Sequence, residues 1–296
     1  MSGGAHIFMK PSLSSKTTQT LFNYFFLGPA VLIFFIFVLL PFLQGIPYSF
    51  TNWNAVDSNY DYIGFKNYIS LFTGQGFGKD LLNTVYYTAL SVVFANTFGL
   101  IFAMGVCKST RLNNVLRTFF FMPFAISLIL AAYIWSYIYA DVFSPLFNVI
   151  SPLASTKWVM PGIAAISVWR DSGYCMIIFI AALQSIPHEY NEASMIDGAN
   201  GIQRFFHVTL PMLIPAFTTN ITLLLSWGFK VFEYPMAATA GGPGGASETI
   251  AMYAYNNIFA FFNAGLGQAA AITMTIIFAV VTLTVSRLIR SKEVEM

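Results

Sequence analysis

The strongest constraint in this sequence is the recurrence of apolar stretches long enough to cross a lipid bilayer. A helix needs about 20 mostly apolar residues to span the hydrocarbon. From Phe22 to Leu43 the chain carries no charged residue, and Pro29 and Pro41 lie near the ends of that stretch, where a helix break costs least. Five further stretches follow: Asn83 to Cys107, Leu116 to Tyr139, Gly162 to Ile186, Leu210 to Tyr234 and Leu266 to Ile289. Pro123 interrupts the third, Arg170-Asp171 the fourth, and Lys230 and Glu233 lie near the end of the fifth. These stretches predict an all-α membrane protein of about six transmembrane helices. The charge content agrees: 9% of the 296 residues are charged, against about 25% in a soluble domain. A polar or mixed segment precedes the first stretch and no small-x-small site follows it, so it reads as a retained helix, not a cleaved signal.

Several function classes are disfavoured on the same grounds. The net charge of +2 and the lack of a basic run argue against nucleic acid. Cys107 and Cys175 fall in apolar stretches and read as packing residues. The three histidines are scattered, with no metal-ligand spacing. No HExxH, no Gly-x-Ser-x-Gly and no paired intramembrane aspartates suggest catalysis, so neither a catalytic nor a metal residue is assigned. The run from Gly74 to Asp80 imitates a phosphate-binding loop but is one residue short and lacks the following Ser or Thr. It reads as a flexible loop, and no cofactor is expected in this chain.

Basic residues orient the spans. With the N-terminus inside, nine basic residues fall inside: Lys10, Lys16, Lys108, Arg111, Arg117, Arg204, Arg287, Arg290 and Lys292. Three, Lys66, Lys79 and Lys157, fall outside, and Arg170 and Lys230 lie in the membrane, which accounts for all 14. The excess places both termini in the cytoplasm. The outer loops are then Gln44 to Leu82, Ala140 to Pro161 and Pro235 to Gly265.

One inner loop, residues 187–209, has structure written into it. Glu189 to Ile196 carries helix formers with acid in the first turn, and Gly198 after Asp197 supplies a turn. Ile202 to Val208 forms a second amphipathic piece with Phe205 and Phe206. The pattern describes a rigid knob on the inner face, able to pass force to a partner or to serve as a plain connector.

The residues Glu192-Ala193-Ser194, Asp197-Gly198-Ala199, Phe205-Phe206 and Leu210-Pro211 resemble the EAA loop of binding-protein-dependent ABC importer permeases. The run Ala181 to Pro187 resembles that family's lead-in, and Gly241-Gly242-Pro243 its outer-loop signature. The likeness is greatest to the carbohydrate-uptake group, similar to maltose and glycerol-phosphate permeases, and runs from about Asn83 to Arg290. Ser194 is a departure, since a second alanine is usual there. The resemblance implies a type I ABC importer permease architecture in the cell inner membrane. Residues 1–82 would hold the tail, first span and first outer loop, residues 83–290 a five-helix permease core, and residues 291–296 a cytoplasmic tail. It also implies that Glu192, Ala193, Ser194, Asp197, Gly198 and Ala199 couple the chain to a homodimeric ATP-binding subunit, which binds the ATP and Mg. A second homologous permease subunit, an extracytoplasmic solute-binding protein and membrane lipid are the other implied partners.

Charges within a membrane are expensive and point to function or to ion pairing. Arg170, Asp171, Lys230 and Glu233 can neutralise one another, for example as Arg170 with Glu233 or Asp171 with Lys230, or they can line a wet solute path. The resemblance to the maltose permease puts Phe124, Ser167, Arg170, Asp171 and Trp227 at or beside sugar-contacting positions. The expected function is a permease subunit that moves a sugar or sugar-like solute inward; the alternative is a secondary carrier or channel, which leaves the knob unexplained.

The orientation is testable by single-cysteine labelling from outside, in a background free of Cys107 and Cys175. Positions in Gln44 to Leu82 and in Pro235 to Gly265 should react, and Glu189 to Gln203 should not. Labelling of Asn200 in intact cells would sink the assignment.

Overall fold

The structure, a computed structural model, describes residues 16–74 and 76–291, with side chains described from Phe25 onward. Lys10, Gln75, Lys292 and residues 292–296 of the expected tail lie outside the described residues. Among those described, the elements are helical, and the one strand-like feature is an isolated antiparallel bridge between Thr51 and Tyr62.

The chain divides into two compact units, residues 1–48 and 49–296. In the first, helix α1 runs over residues 16–48 with a π turn at Phe35–Leu39. That turn sits directly before Pro41, which has no N–H to return to the Phe37 carbonyl, and a widened turn absorbs the lost bond. The α1 side chains from Phe25 onward are almost all exposed apolar groups, as lipid permits.

The second unit begins with α2 (Lys66–Thr73) and α3 (Phe77–Val106). Then come α4 (Arg111–Phe121), α5 (Leu128–Phe147) and α6 (Val159–Ser185). Helices α7 (His188–Ile196), α8 (Gly201–Met212) and α9 (Ile214–Phe229) follow, then α10 (Glu233–Thr239), α11 (Ile250–Tyr255) and α12 (Ala264–Arg290). Helices α1, α3, α5, α6 and α12 are each long and apolar enough to cross a membrane. Helices α8 and α9, bent by 61° at their junction, pass the same test together, which gives up to six candidate spans among the described residues.

Helices α3 and α6 form the spine of the second unit. At Gly99 a Cβ would lie 2.6 Å from Cys175 Cβ and 3.1 Å from the Met176 nitrogen, so only glycine permits this approach. The Ser91 and Ser167 hydroxyls hydrogen-bond across the same seam at 2.9 Å. Ala95, Ala103, Cys175, Met176 and Phe179 fill it as buried core. Small residues and interhelical hydrogen bonds are what hold helices together where lipid removes the hydrophobic drive. Helix α9 joins through Gly228, whose Cβ would meet Thr88 Cγ2 at 2.6 Å, and through Asn220 Nδ2, which donates to the Cys175 carbonyl at 3.5 Å.

Two expected spans are corrected. The third does not start at Leu116. Proline 123 ends the amphipathic α4 at Phe121, a 3₁₀ turn covers Met122–Ala125, and the chain restarts as α5 with the Ser127 side chain accepting from the Leu130 N–H. The fifth is broken at Leu213, beside Pro211 and Pro215, and stops at Phe229; Lys230 is its C-cap and Glu233 opens the separate helix α10. Arg117 explains how α4 stays docked: its Nε and Nη2 donate to the Val106 carbonyl at 2.9 and 2.7 Å, closing the C-terminal end of α3.

The packing yields a paired test. A methyl at Gly173 would run into the Phe120 carbonyl oxygen and lie 3.0 Å from Phe121 Cα, whereas Gly105 has nothing within 4 Å. In detergent, Gly173→Ala should lower the unfolding temperature, because overpacking costs about 1–3 kcal/mol. Gly105→Ala should raise it slightly, by the ~0.5–1 kcal/mol that alanine gains over glycine in a helix. Equal melting of the two variants would contradict the packing described.

Candidate functional site

The α4–α5 break, the middle of α6 and the end of α9 converge on a cavity of about 330 Å³. Its lining includes Phe124, Arg170, Asp171, Trp227, Lys230 and Glu233. The break puts Phe124 there. Because Pro123 ends α4, the 3₁₀ turn that follows leaves Phe124 against two helices. The Phe124 ring stacks on Tyr174 at 4.8 Å, and Trp227 closes the trio at 6.0 Å from Phe124 and 5.4 Å from Tyr174. Trp227 is 37% exposed, so its ring is both held and open.

Arg170 is held by three contacts. Its Nη1 pairs with Asp171 Oδ1 at 2.7 Å, its Nε donates to the Ile126 carbonyl at 3.1 Å, and its Cζ sits 4.4 Å from the centre of the Phe124 ring. It therefore satisfies a carbonyl freed by the break and pins the aromatic floor. Among the described residues this is the sole ion pair, so the crossed pairs Arg170–Glu233 and Asp171–Lys230 do not form. Lys230 instead places Nζ 5.3 Å from the Phe278 ring centre. The cavity thus carries two cationic and two carboxylate side chains beside the rings of Phe124 and Trp227, which Tyr174 backs. Such a wall can take a neutral polyhydroxylated guest, with hydrogen bonds to its edges and an aromatic surface for its apolar face.

Ser167 is not on that wall. It is 1% exposed, bonded to Ser91 at 2.9 Å and to the Ala164 carbonyl at 2.8 Å, and it belongs to the α3–α6 seam. Sequence reasoning missed Tyr87 and Tyr234, which line the cavity from α3 and α10, and Tyr174. Tyr174 carried a usable signal, since it stands four residues after Arg170 on one helix face. Tyr87 and Tyr234 carried none.

The inner loop forms the knob that its sequence describes. Helix α7 ends at Gly198, whose φ of +78° suits glycine, with the Gly198 N–H donating to the Met195 carbonyl at 3.0 Å. Asn200 and Gln203 then make a reciprocal capping box at the start of α8. A π turn at Phe205–Thr209 again precedes a proline, Pro211. Glu192, Ala193, Asp197 and Gly198 are exposed, Ala199 is half-buried, and Ile196 is 86% exposed. Ser194 is buried and its hydroxyl donates to the Asn191 carbonyl at 2.8 Å, so it braces the knob from within. The run that imitates a phosphate site is not a flexible loop throughout: Phe77 to Asp80 form the first turn of α3, with Phe77 and Asp80 buried, and Lys79 Nζ donates to the Gly244 carbonyl at 3.0 Å and so ties this turn to a later loop.

Comparison with known proteins adds four findings. Residues 95–292 match the family model described as binding-protein-dependent transport system inner membrane component. The chain is 35% identical over 277 residues to the probable starch degradation products transport system permease protein AmyD of Thermoanaerobacterium thermosulfurigenes, covering 92% of this chain and 94% of that one. It is 28% identical over 286 residues to the multiple sugar-binding transport system permease protein MsmF of Streptococcus mutans, covering 94% and 99%. Its fold matches a chain in the crystal structure of a bacterial ABC transporter that imports the acidic polysaccharide alginate, with a TM-score of 0.78, 21% identity and coverage of 93% and 96%.

Proposed function

This chain belongs to the family of binding-protein-dependent transport system inner membrane components, and from that membership we propose that it passes a sugar or short saccharide inward as one permease subunit of an ABC importer. The observation that carries the sugar reading is the cavity itself: an open Trp227 ring beside Phe124 and Tyr174, ringed by balanced charge. The names of AmyD and MsmF, which concern starch products and multiple sugars, support the same class of solute. Trp227 and Phe124 offer the stacking surface and Asp171 a hydrogen-bond acceptor, while Arg170 acts by holding Phe124 and Asp171 in place.

In this reading the chain binds no ATP or Mg and catalyses no reaction. A homodimeric ATP-binding subunit does so, docking on Glu192, Ala193, Asp197 and Gly198, with Ser194 and Ala199 supporting the surface. A second homologous permease completes the path, and an extracytoplasmic binding protein delivers the solute. The chain sits in the inner membrane with both termini in the cytoplasm, as the basic residues favour. No observation favours a secondary carrier or channel.

Two variants test the two halves. Trp227→Ala should lower solute uptake by up to about tenfold, since a stacked ring contributes roughly 0.5–1.5 kcal/mol, while assembly and basal ATP hydrolysis stay normal. Wild-type uptake by an assembled Trp227→Ala importer would remove the residue from the path. Gly198→Val forces a β-branched residue to φ of +78°, where such residues are outliers. It should assemble poorly with the ATPase or lose solute-stimulated hydrolysis, and the coupling assignment is falsified if it transports at the wild-type rate.

A further inference from the structure

A second cavity, of about 330 Å³, lies away from the solute site, between the knob and the ends of two spans. Met104 from α3, Leu183 from α6 and Phe205 from α8 make its apolar wall; Asn191, Thr209 and Arg204 make its polar one. No acidic residue lines it. The Arg204 Nε is buried and has no hydrogen-bond partner, and among the described residues no carboxylate pairs with Arg204. Arg204 is itself half-buried and borders the cleft, so the rest of its guanidinium offers an uncompensated charge and N–H donors that an acceptor from outside the chain can take.

We infer that this cleft is a binding site for one anionic phospholipid, its phosphate on Arg204 and its acyl chains along Met104, Leu183 and Phe205. Three observations favour a lipid over a soluble anion or an acidic group of a partner. The single cation is flanked by apolar side chains, which matches a charged head joined to hydrocarbon. The cleft stands at the ends of α3 and α6, where a span meets the headgroup layer. That end also carries Lys108, Arg111 and Arg117, the side where anionic lipid is drawn by basic residues. The lipid would fill the gap behind the knob and stiffen its seat. The inference rests on the spans alone and not on the solute assignment.

The test uses the assembled importer in nanodiscs of equal phosphatidylglycerol and phosphatidylcholine, stripped with detergent and read by native mass spectrometry. The wild type should retain phosphatidylglycerol over phosphatidylcholine by about fivefold, the ratio that one basic residue near an anionic headgroup produces. Arg204→Gln should bring the ratio near one. Arg111→Gln, on an exposed arginine at the same end, and Trp227→Ala should leave it unchanged, which separates this site from the solute site. A photoactivatable phosphatidylglycerol should label Met104, Leu183 or Phe205 in the wild type, so the result stands even where a variant misfolds. Parity in the wild type, an intact preference in Arg204→Gln, labelling elsewhere only, or displacement by millimolar inorganic phosphate at fixed ionic strength each overturns the lipid site.

Discussion

The close approach of α3 and α6 governs where everything else lies. Lipid tails are as apolar as the helices themselves, so burial gives little reason for two spans to meet. Contact has to come from backbone proximity and hydrogen bonds. Gly99 supplies the first by opening a path to Cys175 and Met176, and Ser91 with Ser167 supplies the second at 2.9 Å. Once that seam is set, Gly173 admits the Phe120 backbone from α4, and Gly228 lets α9 settle on Thr88. The cavity is what remains between those three contacts, and its walls are fixed by glycines that are not part of its lining.

Prolines then decide where the helices give way. A proline removes one backbone donor and crowds the preceding turn. Here the loss is met in three ways. Before Pro41 and Pro211 the helix widens into a π turn. At Pro215 it bends, with Leu213 at the junction of α8 and α9. At Pro123 it stops, and the freed Ile126 carbonyl is taken up by Arg170 at 3.1 Å. At the last a charged side chain takes up a main-chain carbonyl, and that is where the rings and charges gather. A break within the bilayer is tolerable when protein groups satisfy its backbone; Arg170 is that group.

Much of this was legible in the sequence, in proportion to how local the cause is. Uncharged runs announced the spans, and Asp197-Gly198 announced the end of α7 because a glycine turn is a property of neighbouring residues. Pro123 was visible inside the third stretch, yet hydropathy alone ran straight through it. The restart at Leu128 depends on the Ser127 side chain accepting from the Leu130 N–H, and α4 keeps its place because Arg117 holds the end of α3. Arg170 and Asp171 were visible as costly charges, but which carboxylate would pair with which cation was not. That depends on the bend at Leu213 and the early end of α9, which leave Lys230 beside Phe278. Ser167 had the right spacing for the cavity and the wrong side of the helix, a matter of rotation that spacing from a distant motif does not fix. Tyr87 and Tyr234 come from α3 and α10, and only the tertiary fold brings them to the same wall.

The geometry also bears on how the proposed cavity and the proposed docking knob communicate. Helix α6 runs without interruption from Arg170 to Ser185, about 22 Å at 1.5 Å per residue, and α7 starts three residues later at His188. Helix α9 carries Trp227 near one end and reaches α8, and so the knob, through the bend at Leu213 about 20 Å away. The knob therefore hangs between two stiff rods, and each rod ends in a different wall of the cavity. One rod meets the knob through a short turn at Pro187 and the other through a 61° bend. A displacement of the knob would turn the two rods by different amounts, because their joints differ. The consequence falls on the distance between Trp227 on α9 and the Arg170–Asp171 pair on α6, which are the two sides that a ring-shaped guest would bridge. In the proposed coupling, motion at the inner face would open or close the aromatic cradle through rigid elements that need no rearrangement of their own.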